Sequence, residues 1–269
     1  PLTGASVTIT YEPTGSVYTL STKKSGRFDL NNVPPGGPYT IKVTYVGTAD
    51  FVKNDINIPL GEKFDIKVEL STSSKTLEGV TVMGKKSSTI KTGASSNFSK
   101  RQINNTPNIG RTITNITRLT PQSNGNSFAG MNNRYNNITI DGSLFNNNFG
   151  RGGEGLVPGG ASPAISIDAI DQIQVNIAPY DVRMAGFVGG GINAVTKRGT
   201  NNWSGTAFMQ FRSRDLIGKK VGNQEIAVGK SDTKIFGASL GGPIIKDKLF
   251  FFANFETEKR VTPGQTWLA

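Results

Sequence analysis

The sequence predicts a mainly β protein built from short antiparallel strands. Apolar and polar residues alternate with a period of two in several stretches, among them Ala5–Tyr11 and Leu249–Thr257. Glycine and proline clusters such as Pro34–Pro38 separate these stretches and are typical of turns. No run of about 18 apolar residues occurs, so the sequence predicts no membrane-spanning helix. Barrel strands, which are short and only alternately apolar, would escape that criterion.

Composition and charge exclude several kinds of site. The 269 residues include no cysteine and no histidine, which excludes disulfides, thiolate or imidazole metal ligands and catalysis by Cys or His. The net charge of +11 is spread along the chain, since residues 1–76 carry eight basic and seven acidic side chains. Nucleic-acid binding needs clustered cations, so we expect no nucleic-acid partner.

Residues 1–72 are predicted to form a small β-sandwich. Turn residues interrupt the alternating pattern at short, regular intervals, which is typical of antiparallel sandwiches. The predicted strands are Ala5–Tyr11, Val17–Leu20, Arg27–Leu30, Tyr39–Val46 and Phe64–Leu70.

Residues 73–96 are predicted to be a linker that carries one short apolar segment. The linker is rich in Ser, Lys and Gly, and the segment reads LEGVTVM, Leu77–Met83. A short β-prone strand on a tether suits addition to the sheet edge of a partner protein. The first strand of the next domain is an equally good interpretation from the residues alone.

Residues 97–200 are predicted to form an α+β domain. Ser99 is a candidate N-cap of a short helix, and Ile109–Leu119 has apolar residues at helical spacing. NITIDG, Asn137–Gly142, is a predicted strand that ends in an Asp-Gly turn. Ile165–Ile177 is predicted to begin with a helical turn and continue as the strand Ile173–Ile177, and INAVTKRG after Gly191 is another predicted strand.

Two motifs in this domain have enzymatic interpretations that the sequence disfavours. Gly189–Ala194 matches the G-x-G-x-x-A dinucleotide pattern, but a β-prone stretch follows where that fold needs a helix. Asp168, Asp171 and Asp181 offer a carboxylate pair, but the first two are explained as acids at a helix N-terminus. We therefore expect a protein that is not an enzyme and that has no cofactor and no metal site.

Residues 201–269 predict three amphipathic strands. Trp203–Ser213, Lys234–Gly242 and Leu249–Thr257 each place apolar side chains on one face and more polar ones on the other. A polar stretch, 213–233, separates the first two strands, and a tight turn at Lys246-Asp247 separates the last two. Long loops alternating with short turns are typical of outer-membrane barrels. From the pattern alone, a soluble antiparallel sheet with one hydrated face remains the alternative.

Taken in this order, the segments resemble TonB-dependent outer-membrane receptors of the Bacteroidetes style, and within them the Oar-like group. Residues 1–70 resemble the carboxypeptidase-regulatory-like sandwich that precedes many such receptors, without its opening strand. LEGVTVMG resembles the TonB box, from which Gly79 and Thr81 depart. Asn137–Gly142 and Ile170–Asn202 resemble the closing motifs of the plug domain, and Leu240–Glu256 resembles an early barrel hairpin.

The resemblance implies a fold and a set of partners. The fold is mainly β: an N-terminal β-sandwich, an α+β plug and the first antiparallel strands of a transmembrane β-barrel, here 201–269, whose lumen the plug blocks. The implied location is the bacterial outer membrane, with sandwich and plug facing the periplasm. The implied partners are periplasmic TonB, which pairs with the box as an added strand, the membrane lipid, an unidentified substrate and, in some receptors, a surface lipoprotein.

The resemblance also assigns residues to these roles. The TonB-box residues are Leu77, Glu78, Gly79, Val80, Thr81, Val82 and Met83. The plug-motif residues are Asp141, Gly142, Arg183, Gly189, Gly190, Gly191, Thr196 and Lys197. The three consecutive glycines are expected to permit close packing of a plug strand, and Arg183, Lys197 and Arg198 are expected to bond the barrel wall.

Two functional hypotheses follow. The first is TonB-dependent active transport across the outer membrane, in which TonB pulls on the N-terminal strand and so gates the plug. The second is a cell-surface adhesive or glycan-binding β-protein without transport, which the sandwich and the Asn/Gly-rich loops suggest. Dependence on detergent separates the two, because only the first requires a lipid-exposed barrel.

Overall fold

The computed structural model describes residues 1–71, 94–108, 110–145, 165–178, 186–218, 220–222, 224–225 and 232–261. The predicted TonB box, Leu77–Met83, and the predicted plug residue Arg183 lie outside these described residues. Within them the chain is mainly β, as predicted, and its principal sheets have four, five and three strands.

The helices and strands follow one another along the whole chain. The strands are β1 Ser6–Tyr11, β2 Ser16–Ser21, β3 Gly36–Thr44, β4 Phe51–Ile58, β5 Ala94–Phe98, β6 Ser123–Asn124, β7 Ser127–Phe128, β8 Asn137–Ile140, β9 Ser143–Leu144, β10 Ile170–Ile177, β11 Gly190–Thr196, β12 Ser204–Arg212, β13 Lys220–Val221, β14 Gln224–Glu225, β15 Asp232–Ile245 and β16 Leu249–Val261. The helices are α1 Lys100–Asn105 and α2 Ile113–Thr117, with 3₁₀ turns at Asn133–Tyr135, Ile167–Ala169 and Arg214–Leu216.

The first sheet is the main layer of the N-terminal sandwich. Its strands are antiparallel in the order β2-β1-β3-β4. Alternate residues of these strands point into one core because side chains of a β-strand alternate between the two faces. The buried apolar residues of this core are Ala5, Val7, Ile9, Tyr39, Ile41, Val43 and Ile56.

Two predicted strands of the sandwich, Arg27–Leu30 and Phe64–Leu70, are not strands in the structure. Strands are defined by ladder hydrogen bonds, and within residues 1–71 neither segment takes part in a ladder. Their alternate side chains nevertheless pack against the core of the first sheet and form its second layer. These side chains are Phe28, Leu30, Ile66, Val68 and Leu70. The alternation thus predicted the faces correctly and the hydrogen bonding wrongly.

The second sheet is the centre of an α+β domain, and its strand order is β5-β10-β11-β8-β9. β10 lies second in the sheet and is buried along nearly its whole length, so it is the main core strand of this domain. Its Ile173 and Val175 are fully buried, together with Ile116 of α2 and Phe128. β5 is an edge strand that starts at Ala94, inside the stretch predicted as linker.

Both helices of the central domain are short. α1 follows Ser99 as predicted, and the Gln102 side chain accepts a hydrogen bond from the Ser99 backbone amide at 2.9 Å. Within the stretch Ile109–Leu119, whose apolar spacing is helical, α2 covers only Ile113–Thr117. Arg111 has a φ of 48°, a left-handed conformation that a helix cannot contain. β11 extends through Thr196, so the glycine pattern at Gly189–Ala194 lacks the helix of a dinucleotide site.

The third sheet contains the three predicted amphipathic strands, in the order β12-β15-β16. β15 and β16 run beyond their predicted ends and are joined by the short turn at Lys246-Asp247. The longer connection between β12 and β15 contains a 3₁₀ turn and the β13–β14 hairpin. No helix in the described part of the chain is long and apolar enough to cross a membrane.

Candidate functional site

The inner face of the third sheet meets the central domain through polar side chains. Ser166 and Asp168 project from the 3₁₀ turn that precedes β10, and both reach the sheet. The Ser166 hydroxyl donates to Glu256 Oε2 on β16. The Thr206 hydroxyl of β12 donates to Asp168 Oδ2 and also lies 2.6 Å from the Ser239 hydroxyl of β15. One short turn therefore contacts all three strands of the sheet directly or through one further hydroxyl.

Asp168 also forms a buried ion pair with Lys197. Lys197 Nζ lies 3.7 Å from Asp168 Oδ1, and the two side chains are 9% and 15% exposed. Burial by itself raises the pKa of Asp168, but the hydrogen bond from Thr206 and the charge of Lys197 bring that pKa below its ordinary value. Burial lowers the pKa of Lys197, and the attraction of Asp168 opposes this effect. Asp168 is therefore an ionised acceptor for the sheet at neutral pH.

Arg111 forms the second charged contact between the central domain and the third sheet. Its guanidinium carbon lies 3.5 Å from the centroid of the Phe208 ring on β12, which is a cation–π contact. Its Nε lies 3.7 Å from Glu256 Oε2, and Nε and Nη2 are buried without a hydrogen-bond partner in the described residues. Glu256 thus contacts two segments of the central domain. It accepts a hydrogen bond from Ser166, and it attracts Arg111 by charge without a hydrogen bond.

The outer face of the third sheet is apolar and exposed. Met209 is 71% exposed, and Phe211 and Phe255 are each 61% exposed. The other large apolar residues exposed on this face are Phe236, Leu240 and Leu249. A contiguous apolar face of this size is rare in a soluble monomer and is the pattern of a lipid-facing barrel wall.

Six of the predicted plug-motif residues lie where β8, β9 and β11 meet: Asp141, Gly142, Gly189, Gly190, Gly191 and Thr196. Asp141 and Gly142 form the turn between β8 and β9, with φ angles of 48° and 83°. The Asp141 carboxylate accepts hydrogen bonds from the Thr196 amide at 3.0 Å and from the Thr196 hydroxyl at 2.6 Å. Asp141 therefore fastens this hairpin to the end of β11.

The three glycines of the motif allow close packing around β11. A Cβ on Gly190 would lie 2.7 Å from the Phe128 ring, and one on Gly191 would lie 2.6 Å from the Phe187 ring. A Cβ on Gly189 would lie 2.5 Å from Asn136 Oδ1. Each contact is far shorter than the separation of packed carbon atoms, so no larger residue fits at these positions without movement.

Sequence analysis missed three residues that join the central domain to the third sheet: Arg111, Ser166 and Glu256. Lys197 lies at this interface, where it pairs with Asp168. Asp168 was explained only as an acid at a helix start, and it is one, since its amide donates to the Ser166 hydroxyl at 3.2 Å. A charged residue on the polar face of an aromatic-rich strand, as Glu256 is, was the available signal. No cluster of three metal-ligating side chains occurs among the described residues.

Comparisons with known proteins agree with this geometry. A family profile described as "Outer membrane beta barrel domain" matches residues 195–269, and one described as "Carboxypeptidase regulatory-like domain" matches residues 1–71. The TonB-dependent transporter Oar of Myxococcus xanthus is 26% identical over 276 aligned residues, which cover 95% of this chain. The chain is thus similar to the Oar-like TonB-dependent receptors, as the sequence motifs predicted. In the terms used for such receptors, the central domain is called the plug and the third sheet the wall.

The chain spans about a quarter of the length of this relative, since the aligned region is 25% of it. The siderophore receptor PirA from Acinetobacter baumannii is also similar, at 25% identity over 62% of this chain and 24% of that chain, with a TM-score of 0.47.

Proposed function

We propose that the chain is the gating part of a TonB-dependent transporter in the bacterial outer membrane. The observation that carries the proposal is the asymmetry of the third sheet, whose outer face is apolar and exposed while its inner face holds the plug through polar groups. Lipid requires the first property. A removable plug requires the second, because a polar interface can separate without exposing a large apolar surface to water.

The loops of the wall support an orientation for the chain. β15 and β16 are joined by a turn of three residues, whereas more than a dozen residues connect β12 to β15. Outer-membrane barrels have short turns on the periplasmic side and long loops on the outer side. The sandwich contacts the short turn, since a Cβ on Gly15 would lie 2.6 Å from Asp247 Oδ1. In the proposed transporter, the sandwich and the side of the plug that it contacts therefore face the periplasm.

β5 is the strand of the plug on which a pulling force would act first. It lies at the sheet edge, and among the described strands it pairs only with β10, through five residue pairs from Phe98↔Ile173 to Ala94↔Ile177. It follows the segment 72–93, which contains Leu77–Met83. A strand at an edge can leave its sheet by breaking few hydrogen bonds, so local opening starts there at low free energy. Removal of β5 uncovers β10, the main core strand of the plug.

TonB is the proposed partner that supplies this force, and it would bind Leu77–Met83 as an added β-strand. Strand addition depends on main-chain hydrogen bonds, which proline cannot donate. Val82→Pro should therefore weaken binding of the TonB periplasmic domain by at least about 10-fold, the effect of roughly 1.4 kcal/mol. Ser73→Pro lies in the preceding polar stretch and is the matched control, which should bind like the unchanged receptor.

Titration calorimetry with the full-length receptor in detergent measures both affinities. Equal affinity of the Val82→Pro variant and the unchanged receptor would show that Leu77–Met83 is not the strand that TonB grips. Transport in cells then supplies the second readout, because deletion of Leu77–Met83 should abolish it and leave insertion into the outer membrane intact.

A further inference from the structure

One end of the sandwich touches both the plug and the periplasmic turn of the wall. The Leu60 amide donates to Gln172 Oε1 of β10 at 2.9 Å. The Asn97 side chain of β5 donates to Glu62 Oε1 at 2.6 Å. On the other side of this end, the Asn201 amide donates to the Pro13 carbonyl at 2.7 Å. These contacts involve residues far apart in the chain, and they join the sandwich to the plug at two points and to the start of the wall at one.

The glycines in the contacting loops show that close approach is built into this end of the sandwich. Gly61 has a φ of 67°, and a Cβ there would lie 2.4 Å from Gln174 Oε1 of β10. Gly15 has a φ of 69°, and its Cβ would meet Asp247. Gly4 and Gly47 of the same domain also have left-handed φ angles, both 79°, but a Cβ on either would meet nothing within 4 Å. The left-handed turns explain all four glycines. Only at Gly61 and Gly15 does the lack of a side chain also allow the close contact with the plug or the wall.

The chemistry of the contact is that of an interface that can open. Its hydrogen bonds are exchanged for bonds to water when the domains separate, so each contributes little net free energy. A cleft of about 850 Å³ lies beside them, between sandwich, plug and wall, and it is lined by polar side chains such as Asn57 and Asn104 as well as by apolar ones such as Pro34 and Phe250. An interface with this composition resembles a transient one between domains.

The proposed TonB-binding segment is not at a free chain end. Residue 71 ends the sandwich and residue 94 begins β5, so the segment 72–93 connects two bodies that also touch each other through Glu62 and Asn97. A force applied inside a connecting segment loads both of its ends. TonB would therefore pull on the sandwich and on β5 together.

We propose that the loop end of the sandwich, formed by 13–15 and 60–62, is a docking surface for the periplasmic face of the plug. The docked sandwich holds β5 against β10 and must leave the plug before β5 can be pulled away. This inference rests on the proposed TonB-driven gating for its consequence, but the docking itself does not depend on TonB.

The first experiment tests the docking without TonB. Amide hydrogen exchange of Asn201, which bonds to Pro13, is measured in the full-length receptor for Gly61→Ala and for Gly47→Ala. Both variants place alanine at a left-handed φ, but only in Gly61→Ala does the new Cβ meet another domain, at the end of the Gln174 side chain, which is 3% exposed and has little room to move. We expect exchange at Asn201 to be about 10-fold faster in Gly61→Ala, because undocking exposes that amide, and unchanged within about 2-fold in Gly47→Ala. Equal exchange in the two variants would overturn the docking.

The second experiment tests the consequence. The chain has no cysteine, so Pro13→Cys with Asn201→Cys introduces a single disulfide that locks the sandwich to the wall. The backbone hydrogen bond of 2.7 Å from the Asn201 amide to the Pro13 carbonyl brings the two residues within reach of a disulfide. The TonB periplasmic domain, held on a force-microscope tip, then pulls the receptor in a supported bilayer.

The reduced receptor should give a low-force extension as the sandwich undocks, and the oxidised receptor should lose that event and regain it on reduction. The same low-force event in the oxidised receptor would overturn the proposal. Absence of adhesion to TonB in every variant would instead count against the proposed TonB-dependent function, and the exchange experiment would still decide the docking.

Discussion

Glu256 is the wall residue on which two segments of the plug converge, so we expect Glu256→Gln to loosen the plug. Glutamine can still accept the Ser166 hydroxyl, but it removes the charge that faces Arg111 at 3.7 Å. The change leaves a guanidinium that is only 18% exposed and that already lacks hydrogen bonds at Nε and Nη2 among the described residues.

The size of the lost stability depends on the interactions that Arg111 retains in the Glu256→Gln variant. Removal of one partner from a buried ion pair costs about 3–5 kcal/mol. The cation–π contact with Phe208 remains and is worth about 0.5–2 kcal/mol, and the 3.7 Å separation makes the lost attraction weaker than that of a hydrogen-bonded pair. We therefore expect a loss of about 2 kcal/mol, which is roughly a 30-fold increase in the local opening equilibrium.

Amide hydrogen exchange of α2, which begins two residues after Arg111, measures this opening in the full-length receptor in a lipid nanodisc. Glu258→Gln is the control, because the Glu258 carboxylate pairs with Arg260 of the same strand at 2.7 Å. The double variant Arg111→Met with Glu256→Gln should recover part of the loss, since it leaves no unpaired charge. Unchanged exchange in Glu256→Gln, or an equal change in Glu258→Gln, would refute the role assigned to the pair.

Three further predictions concern packing, lipid and pH. Gly190→Ala should destabilise the plug by about 1–3 kcal/mol, because the new Cβ meets the buried Phe128 ring. Thermal unfolding measures this loss, and equal melting temperatures of the variant and the unchanged protein would contradict it. Met209→Arg should reduce insertion into vesicles, at a cost of about 2–4 kcal/mol near the bilayer centre, and Gln210→Arg on the inner face should insert normally. The stability that Asp168 supplies is present above the ordinary carboxyl pKa of 3.8 and is lost as the pH falls through the lower folded value. Acid denaturation below about pH 4 should therefore be less steep in Asp168→Asn, and an identical pH profile would contradict the charge network.

The strands of the wall could be predicted from the sequence because their alternation reports a physical requirement. Residues of β12, β15 and β16 alternate between an exposed apolar face and a face that meets the central domain, and in the proposed barrel these surroundings select opposite polarities along each strand. β5 was not predicted, since its ASSNF sequence has small polar residues and its place in the sheet is set by β10. The segments 27–30 and 64–70 show the reverse case, in which alternation marks burial but not a hydrogen-bonded ladder.

The candidate site was predicted only in part, because its residues come together through tertiary contacts. Asp141, Gly142 and the glycines of β11 stand in a contiguous motif that local turn chemistry and close packing explain. Arg111 and Glu256 have no such local signature. Each is a single charged residue in its own segment, and the contact between them depends on how the plug lies against the wall.

The central claim is that TonB opens the plug by removing β5 from β10, and thiol labelling in living cells tests it most directly. Ser96 lies in the middle of β5 and pairs with Val175, so Ser96→Cys places a thiol on the sheet face that also carries the buried Val175, in a chain that has no cysteine. Val46→Cys, at a position that is 93% exposed, is the control for access of the reagent. We expect labelling at residue 96 to rise when TonB and the proton gradient are present and to fall back when Leu77–Met83 is deleted, with constant labelling at residue 46. Equal labelling of residue 96 with and without TonB, in cells that still transport, would contradict the account.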